Sequence, residues 1–133
     1  MITLEEGVNL VWEAIEDMVG GEIYVKKIKS IKLTDIALAI DSETKQEVIG
    51  CRPGEKLHEQ MISTEDSYST YEYPGYYKIL PQINDWAKDR FRIRDGKKVE
   101  EEFIYNSENN KQWMNKKDLK KWVDKNINFI GKI

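Results

Sequence analysis

Two adjacent glycines, Gly20 and Gly21, cut the chain after its most regular stretch, "TLEEGVNLVWEAIEDMVGG". Before them Leu4, Val8, Val11, Trp12, Ile15 and Met18 recur at steps of three and four, which places them on one face of a helix. Thr3 is its N-cap and Glu6 occupies the reciprocal capping-box position. The glycines end it, and "EIYV" follows at once as a short strand. In "KKIKSIKL", Ile28, Ile31 and Leu33 suggest a connecting segment or weak strand. Thr34 and Asp35 start a second short helix, "DIALAI", and "QEVIGC" reads as a strand running into a turn. Helix, strand, helix and strand in this order predict an α/β domain.

Further on, residues 63 to 77 are rich in tyrosine, serine and acid and read as an ordered loop, since five tyrosines are too apolar for a free linker. "YYKILP" reads as a strand, and "FRIRDGKKVEEEF" as a hairpin with Asp95-Gly96 at its tip. Asn115 caps a last helix near residues 116 to 126, whose apolar face is Leu119, Trp122, Val123 and Ile127. The expected division is a lobe over residues 1–80 and a hairpin-plus-helix extension of the same domain over residues 81–133.

With 40% hydrophobic and 34% charged residues in 133, the chain suits one soluble domain with a modest core. No apolar run approaches membrane-spanning length, so no membrane partner is expected. The start, acidic and amphipathic, is unlike a secretion signal. A single cysteine, Cys51, excludes an internal disulfide and points to a reducing cytoplasm. One histidine and one cysteine cannot make an ordinary zinc site, so no metal is expected. The net charge is −3, yet residues 111 to 133 hold seven lysines against two aspartates. Those lysines read as a solvated helix face. They carry no base-stacking pattern, so no nucleic-acid partner is expected.

Several kinds of catalytic chemistry are missing. The eight glycines form neither a GxGxxG turn nor a P-loop. None of the seven tyrosines has a lysine four residues later, and no serine lies in a nucleophile elbow. The runs of acidic residues, such as Glu100 to Glu102, read as solvated surface. No catalytic residue is assigned.

One stretch does carry recognition chemistry: "GCRPGEKLHEQM", residues 50 to 61. Arg52 presents a planar fork of donors that fits two phosphate oxygens at once. Pro53 and Gly54 make a tight turn, and glycine lets a ligand approach the backbone. Glu55 can accept hydrogen bonds from vicinal hydroxyls such as those of a ribose, and Lys56 adds positive charge. His58, the only histidine, follows closely. The set suits a nucleoside diphosphate at the end of a strand. The alternative is a strand-ending turn with a surface ion pair.

The longer pattern "GGEIYVKKIKSIKLTDIALAI…EVIGCRPGEKLHEQMIS" resembles the C-terminal part of bacterial UDP-N-acetylglucosamine 4,6-dehydratases. These are extended short-chain dehydrogenase/reductase enzymes of capsule, O-antigen and flagellin-sugar biosynthesis. The tail "FIYNSENNKQWMNKKDLKKWV" is similar to that of the branch with C5-inverting members. The resemblance implies the C-terminal substrate-binding lobe of such an enzyme, without its glycine-rich Rossmann half. It implies that Arg52 contacts the UDP diphosphate and Glu55 the ribose hydroxyls, with Lys56 and His58 supporting the turn or nucleotide. The family oxidises C4 of the sugar, eliminates water across C5 and C6, and returns the hydride. The NAD(P) loop and the tyrosine–lysine catalytic pair belong to the other half, so no cofactor is expected on this chain. The sequence departs from the family pattern at Lys26 and Lys29, where prolines are usual, and at Cys51, where an aliphatic residue is.

The implied partners are UDP-N-acetylglucosamine or a related UDP-sugar, the Rossmann half, and further copies in a homo-oligomer. A second reading is a stand-alone interaction or oligomerisation module. Trp12 and Trp122 sit on apolar helix faces and are expected in the core; Trp86 and Trp113, in polar surroundings, are the interface candidates.

Overall fold

The computed structural model describes residues 2–82 and 90–130, with side chains to residue 126. Trp86 and the side chain of Ile127 lie outside the described residues. Helix α1 spans Leu4–Asp17, strand β1 Ile23–Lys26 and helix α2 Leu33–Ile40. After a long irregular segment come β2 (Gln60–Ile62), α3 (Thr64–Ser67), β3 (Thr70–Glu72) and β4 (Tyr76–Ile79). The rest holds α4 (Arg90–Ile93), β5 (Lys97–Lys98), β6 (Tyr105–Asn106) and α5 (Lys116–Ile130).

Local chemistry explains the helix ends. The Thr3 hydroxyl accepts from the Glu6 N–H at 3.1 Å, and the Glu6 carboxylate accepts from the Thr3 N–H at 2.7 Å, closing the expected capping box. Beyond α1, Gly20 and Gly21 take φ of 139° and 80°, a region that glycine enters without steric cost. The Glu22 carboxylate accepts the freed N–H groups of Val19 and Gly20. Asn115 caps α5 through the Asp118 N–H at 2.9 Å.

Four strands form one antiparallel sheet in the order β1-β4-β3-β5; β2 and β6 form a separate antiparallel pair. Alternation along each strand assigns its faces. Val25, Tyr77 and Ile79 bury one face of the large sheet against Ile62 of β2 and Tyr105 of β6. On the other face register aligns Tyr24, Lys78, Tyr71 and Lys98 across the four strands. The Lys78 ammonium lies 5.5 Å from the Tyr24 ring centre, and that of Lys98 lies 5.1 Å from Tyr71, within cation–π range. A third cluster joins α2 to α5 through Ala39, Leu119 and Val123, with Trp122 against it as expected. Leu119 is wholly buried, worth roughly 2 kcal/mol by area.

Four expectations need correction. "QEVIGC" is not a strand: residues 45 to 59 form no regular element and are mostly exposed, with Val48 93% accessible. Among the described residues no strand pairs with "QEVIGC", and β propensity does not act without a partner. Residues 63 to 77 are not a loop but hold α3 and β3. The expected hairpin is absent, because Arg90 to Ile93 are helical and β5 pairs with β3 while β6 pairs with β2. Trp12 is 60% exposed, not core: none of the residues of α1 is buried, and its apolar face is bare among the described residues.

Candidate functional site

The arginine turn sits in the exposed segment between α2 and β2. The Glu55 N–H donates to the Arg52 carbonyl at 3.0 Å, with Gly54 at φ 87°. Proline second and a left-handed glycine third match the type II turn. Inside it, the Arg52 N–H donates to one Glu55 oxygen at 2.8 Å and Arg52 Nε to the other at 2.7 Å. These bonds, the backbone one foremost, hold the Glu55 carboxyl below the usual carboxylate range, so it stays ionised. The Arg52 side chain is 76% exposed, and its two terminal nitrogens have no partner among the described residues. The guanidinium fork is oriented by Glu55 yet keeps its far edge for an anion. Each Glu55 oxygen also retains a lone pair for a hydroxyl donor.

The four expected residues are close in the chain, but they differ in their contacts. Arg52 and Glu55 form one unit. Lys56 is exposed, with no polar partner among the described residues. His58 has its polar contact elsewhere, with Nδ1 3.2 Å from the Ser107 hydroxyl. The ion pair of the alternative reading is present, whereas its strand is not.

Two features escaped sequence reasoning. The first is the segment after β6. The Ser107 hydroxyl accepts from the Glu59 N–H at 3.1 Å, and the Ser107 N–H donates to the Glu59 carbonyl at 2.9 Å. Tyr105 Oη accepts from the Ile28 N–H at 2.8 Å and donates to the Ile28 carbonyl at 3.0 Å. Asn110 Nδ2 donates to the Ile28 carbonyl at 2.7 Å and the Ser30 hydroxyl at 3.0 Å. Between these contacts lies a cleft of about 210 Å³, bordered by Ile28, Ser30, Glu59, Met61 and Tyr105. The crowding of Asn and Ser in "YNSENN" was the available signal.

The second is a buried polar cluster behind the large sheet. Lys78, wholly buried, pairs with Asp17 of α1. Tyr24 Oη donates to Asp17 at 2.6 Å, and Arg94 reaches it at 2.8 Å. Arg92 donates to Glu22 at 2.7 Å and to the Gly20 carbonyl at 2.9 Å. Burial pushes the Asp17 carboxyl up, but the hydrogen bonds from Lys78 and Tyr24 and the nearby cations hold it below its ordinary value. The lysine inside the apolar run "YYKILP" was its only trace in sequence.

Among the described residues nothing matches the usual seat of a dinucleotide. Its pyrophosphate needs a glycine turn opening onto a helix N-terminus. Here α1, α2 and α5 start from Thr3, Lys32 and Asn115. Among the described residues no cluster of three or more His, Cys, Asp or Glu side chains could hold a metal ion. Nor is any helix there long and apolar enough to cross a membrane.

The model of the polysaccharide biosynthesis protein family matches residues 1–81. This chain belongs to that family. Within the polysaccharide biosynthesis protein family it is similar to a UDP-N-acetylglucosamine 4,6-dehydratase (inverting) of Campylobacter jejuni subsp. jejuni, with 46% identity over 123 residues. That match covers 89% of this chain and 37% of the relative. It is 31% identical over 125 residues to a UDP-glucose 4-epimerase of Rickettsia akari, covering 91% of this chain and 36% of the relative. The crystal structure of Pen from Bacillus thuringiensis superposes with a TM-score of 0.77 at 25% identity, over 96% of this chain and 38% of that one. The resemblance to the 4,6-dehydratases read in the sequence is upheld, and the chain spans little more than a third of such relatives.

Proposed function

We propose that this chain is the UDP-sugar-binding C-terminal part of a UDP-N-acetylglucosamine 4,6-dehydratase, the lobe of an extended short-chain dehydrogenase/reductase, and is not catalytic alone. The observation that carries the reading is the Arg52–Glu55 turn, a charged fork preset by its own carboxylate with one edge open. Arg52 takes the diphosphate, Glu55 the ribose hydroxyls, Lys56 adds charge, and His58 supports the turn. The 46% identity to an inverting 4,6-dehydratase favours UDP-N-acetylglucosamine as the sugar nucleotide and the C5-inverting reaction. The NAD(P) cofactor and the catalytic pair belong to a Rossmann half that this sequence does not contain. The bare apolar face of α1, with Val48, Ile49 and Leu57 exposed beside the turn, is the surface that half would cover. A cytoplasmic, homo-oligomeric enzyme completes the reading.

Titration of the full chain with UDP and UDP-N-acetylglucosamine, followed by backbone amide NMR, tests this. Shifts confined to residues 50 to 59 in the native chain and absent in Arg52→Ala are the expected result. A well-dispersed spectrum that neither nucleotide perturbs sinks it. The same exposed α1 face favours a second reading, an interaction or oligomerisation module. Self-association without any response to nucleotide would be its mark.

A further inference from the structure

Among the described residues the arginine turn is attached to the rest of the lobe on both sides. Upstream, Gln46 Nε2 donates to the Thr34 carbonyl of α2 at 3.0 Å. Downstream, the attachment is Ser107. The β2–β6 ladder ends at Gln60 opposite Asn106. One residue beyond, the Ser107 N–H continues it by donating to the Glu59 carbonyl, but the return bond from the Glu59 N–H goes to the Ser107 hydroxyl. A side-chain oxygen stands in for a backbone carbonyl there, so the bond depends on residue type and not on strand geometry alone. The same oxygen lies 3.2 Å from His58 Nδ1. A hydroxyl has one donor and two acceptor positions. It can therefore accept from Glu59 and still donate to a neutral His58.

We infer that Ser107 is a positioning residue for the arginine turn, acting through Glu59 and His58. As a contribution to nucleotide binding this rests on the reading of the turn given above. Ser107 belongs to the segment that also holds Ile28 and Ser30, through Tyr105 and Asn110. One stretch of chain thus sets both the exit of the turn and the opposite wall of the cleft. Removing the hydroxyl leaves the Glu59 N–H without its acceptor and frees the His58 ring.

The test compares the full native chain with Ser107→Ala and Ser107→Thr by NMR. In Ser107→Ala, Glu59 amide exchange should rise about three- to tenfold, the loss of one ordinary hydrogen bond. The ring-nitrogen shifts of neutral His58 should move away from the pure Nε2–H form, and apparent UDP affinity should fall about threefold or more. Ser107→Thr, which keeps the hydroxyl, should restore all three, while the amides of Val25 and Tyr77 stay unchanged throughout. Glu59 exchange and His58 shifts that match the native chain in Ser107→Ala would overturn the inference. If the native chain ignores UDP but both local signals move and threonine restores them, positioning stands and the nucleotide reading falls. Should alanine unfold the chain, Ser107→Thr alone decides: a folded protein with Glu59 exchange raised more than tenfold would also overturn it.

Discussion

Lys78 and Asp17 meet in the interior of the lobe, the ammonium from the middle of β4 and the carboxylate from the last residue of α1. The two are not equivalent. Asp17 keeps Tyr24 and Arg94 as partners if the lysine is lost, whereas among the described residues the Lys78 ammonium would keep the Arg92 carbonyl, at 2.8 Å, and the faces of Tyr24 and Tyr73. Breaking a buried pair from the side that strands a charge costs about 3–5 kcal/mol. Asp17→Ala should therefore lower stability by that amount in urea titration, and Lys78→Met by distinctly less.

The same cluster sets a pH dependence. Burial raises the Asp17 and Glu22 carboxyls, but their hydrogen bonds and cationic neighbours prevail and hold both below their ordinary values in the fold. A depressed carboxyl stabilises the folded state above its unfolded value, about 3.9 for Asp and 4.3 for Glu. That stabilisation is lost as pH falls through the lower folded values. Urea midpoints should be flat near neutrality and drop in the acid range. Asp17→Asn should be less stable at neutral pH and show a shallower acid slope.

Arg52 and lysine are not interchangeable in the turn. Arg52 Nε bonds Glu55 while the far edge of the fork stays open, a division of labour that a single ammonium cannot reproduce. Arg52→Lys should weaken UDP binding by about tenfold, the loss of a charge-assisted bond, with the urea midpoint unchanged. Calorimetric titration beside a denaturation curve reads both.

Gly96 lies under a fixed aromatic ring. A Cβ there would stand 2.5 Å from the Tyr73 ring and hydroxyl. The ring cannot easily give way, because its hydroxyl donates to the Ile93 carbonyl at 2.6 Å and its face stacks on Tyr76 at 4.8 Å. Gly96→Ala should cost about 1–3 kcal/mol, as overpacking does. The drop in thermal midpoint should shrink in the double variant with Tyr73→Ala, relative to Tyr73→Ala alone, leaving the part due to the Ile93 carbonyl 3.0 Å from the same Cβ.

Trp12 lies on the bare face of α1, so Trp12→Glu should leave stability within about 0.5 kcal/mol. Sedimentation should show the native chain associating as its concentration rises and the variant remaining smaller at equal concentration. Equal sedimentation of the two would remove α1 as an association surface.

Legibility in the sequence followed the range of the interactions. Helix α1 was readable because capping box, period and double glycine all lie within about twenty residues, and its start and stop fall as expected. Whether its apolar stripe is covered is a different question, which periodicity does not answer, and the stripe proved bare. Ser63 and Asp66 form a second capping box that "STED" announces, although tyrosine content drew the reading towards a loop. Asp95-Gly96 misled because its flanks go elsewhere: β5 runs beside β3, and Arg90 to Ile93 are helical. In the site, Arg52 and Glu55 were legible since their bond closes over three residues. Ser107 was not, since its partner Glu59 is 48 residues away and a serine in a polar run carries no mark of distance.

That separation orders events during synthesis. Residues 52 to 55 can close their internal bonds as soon as they leave the ribosome, for every partner is local. The hydroxyl that anchors the exit of the turn is made 48 residues after the amide it receives. A nascent chain stalled before residue 107 would already display the arginine fork, but on an unanchored loop. Anchorage of this turn therefore waits on residues made long after it, and a premature stop before residue 107 would damage a turn whose own codons are intact.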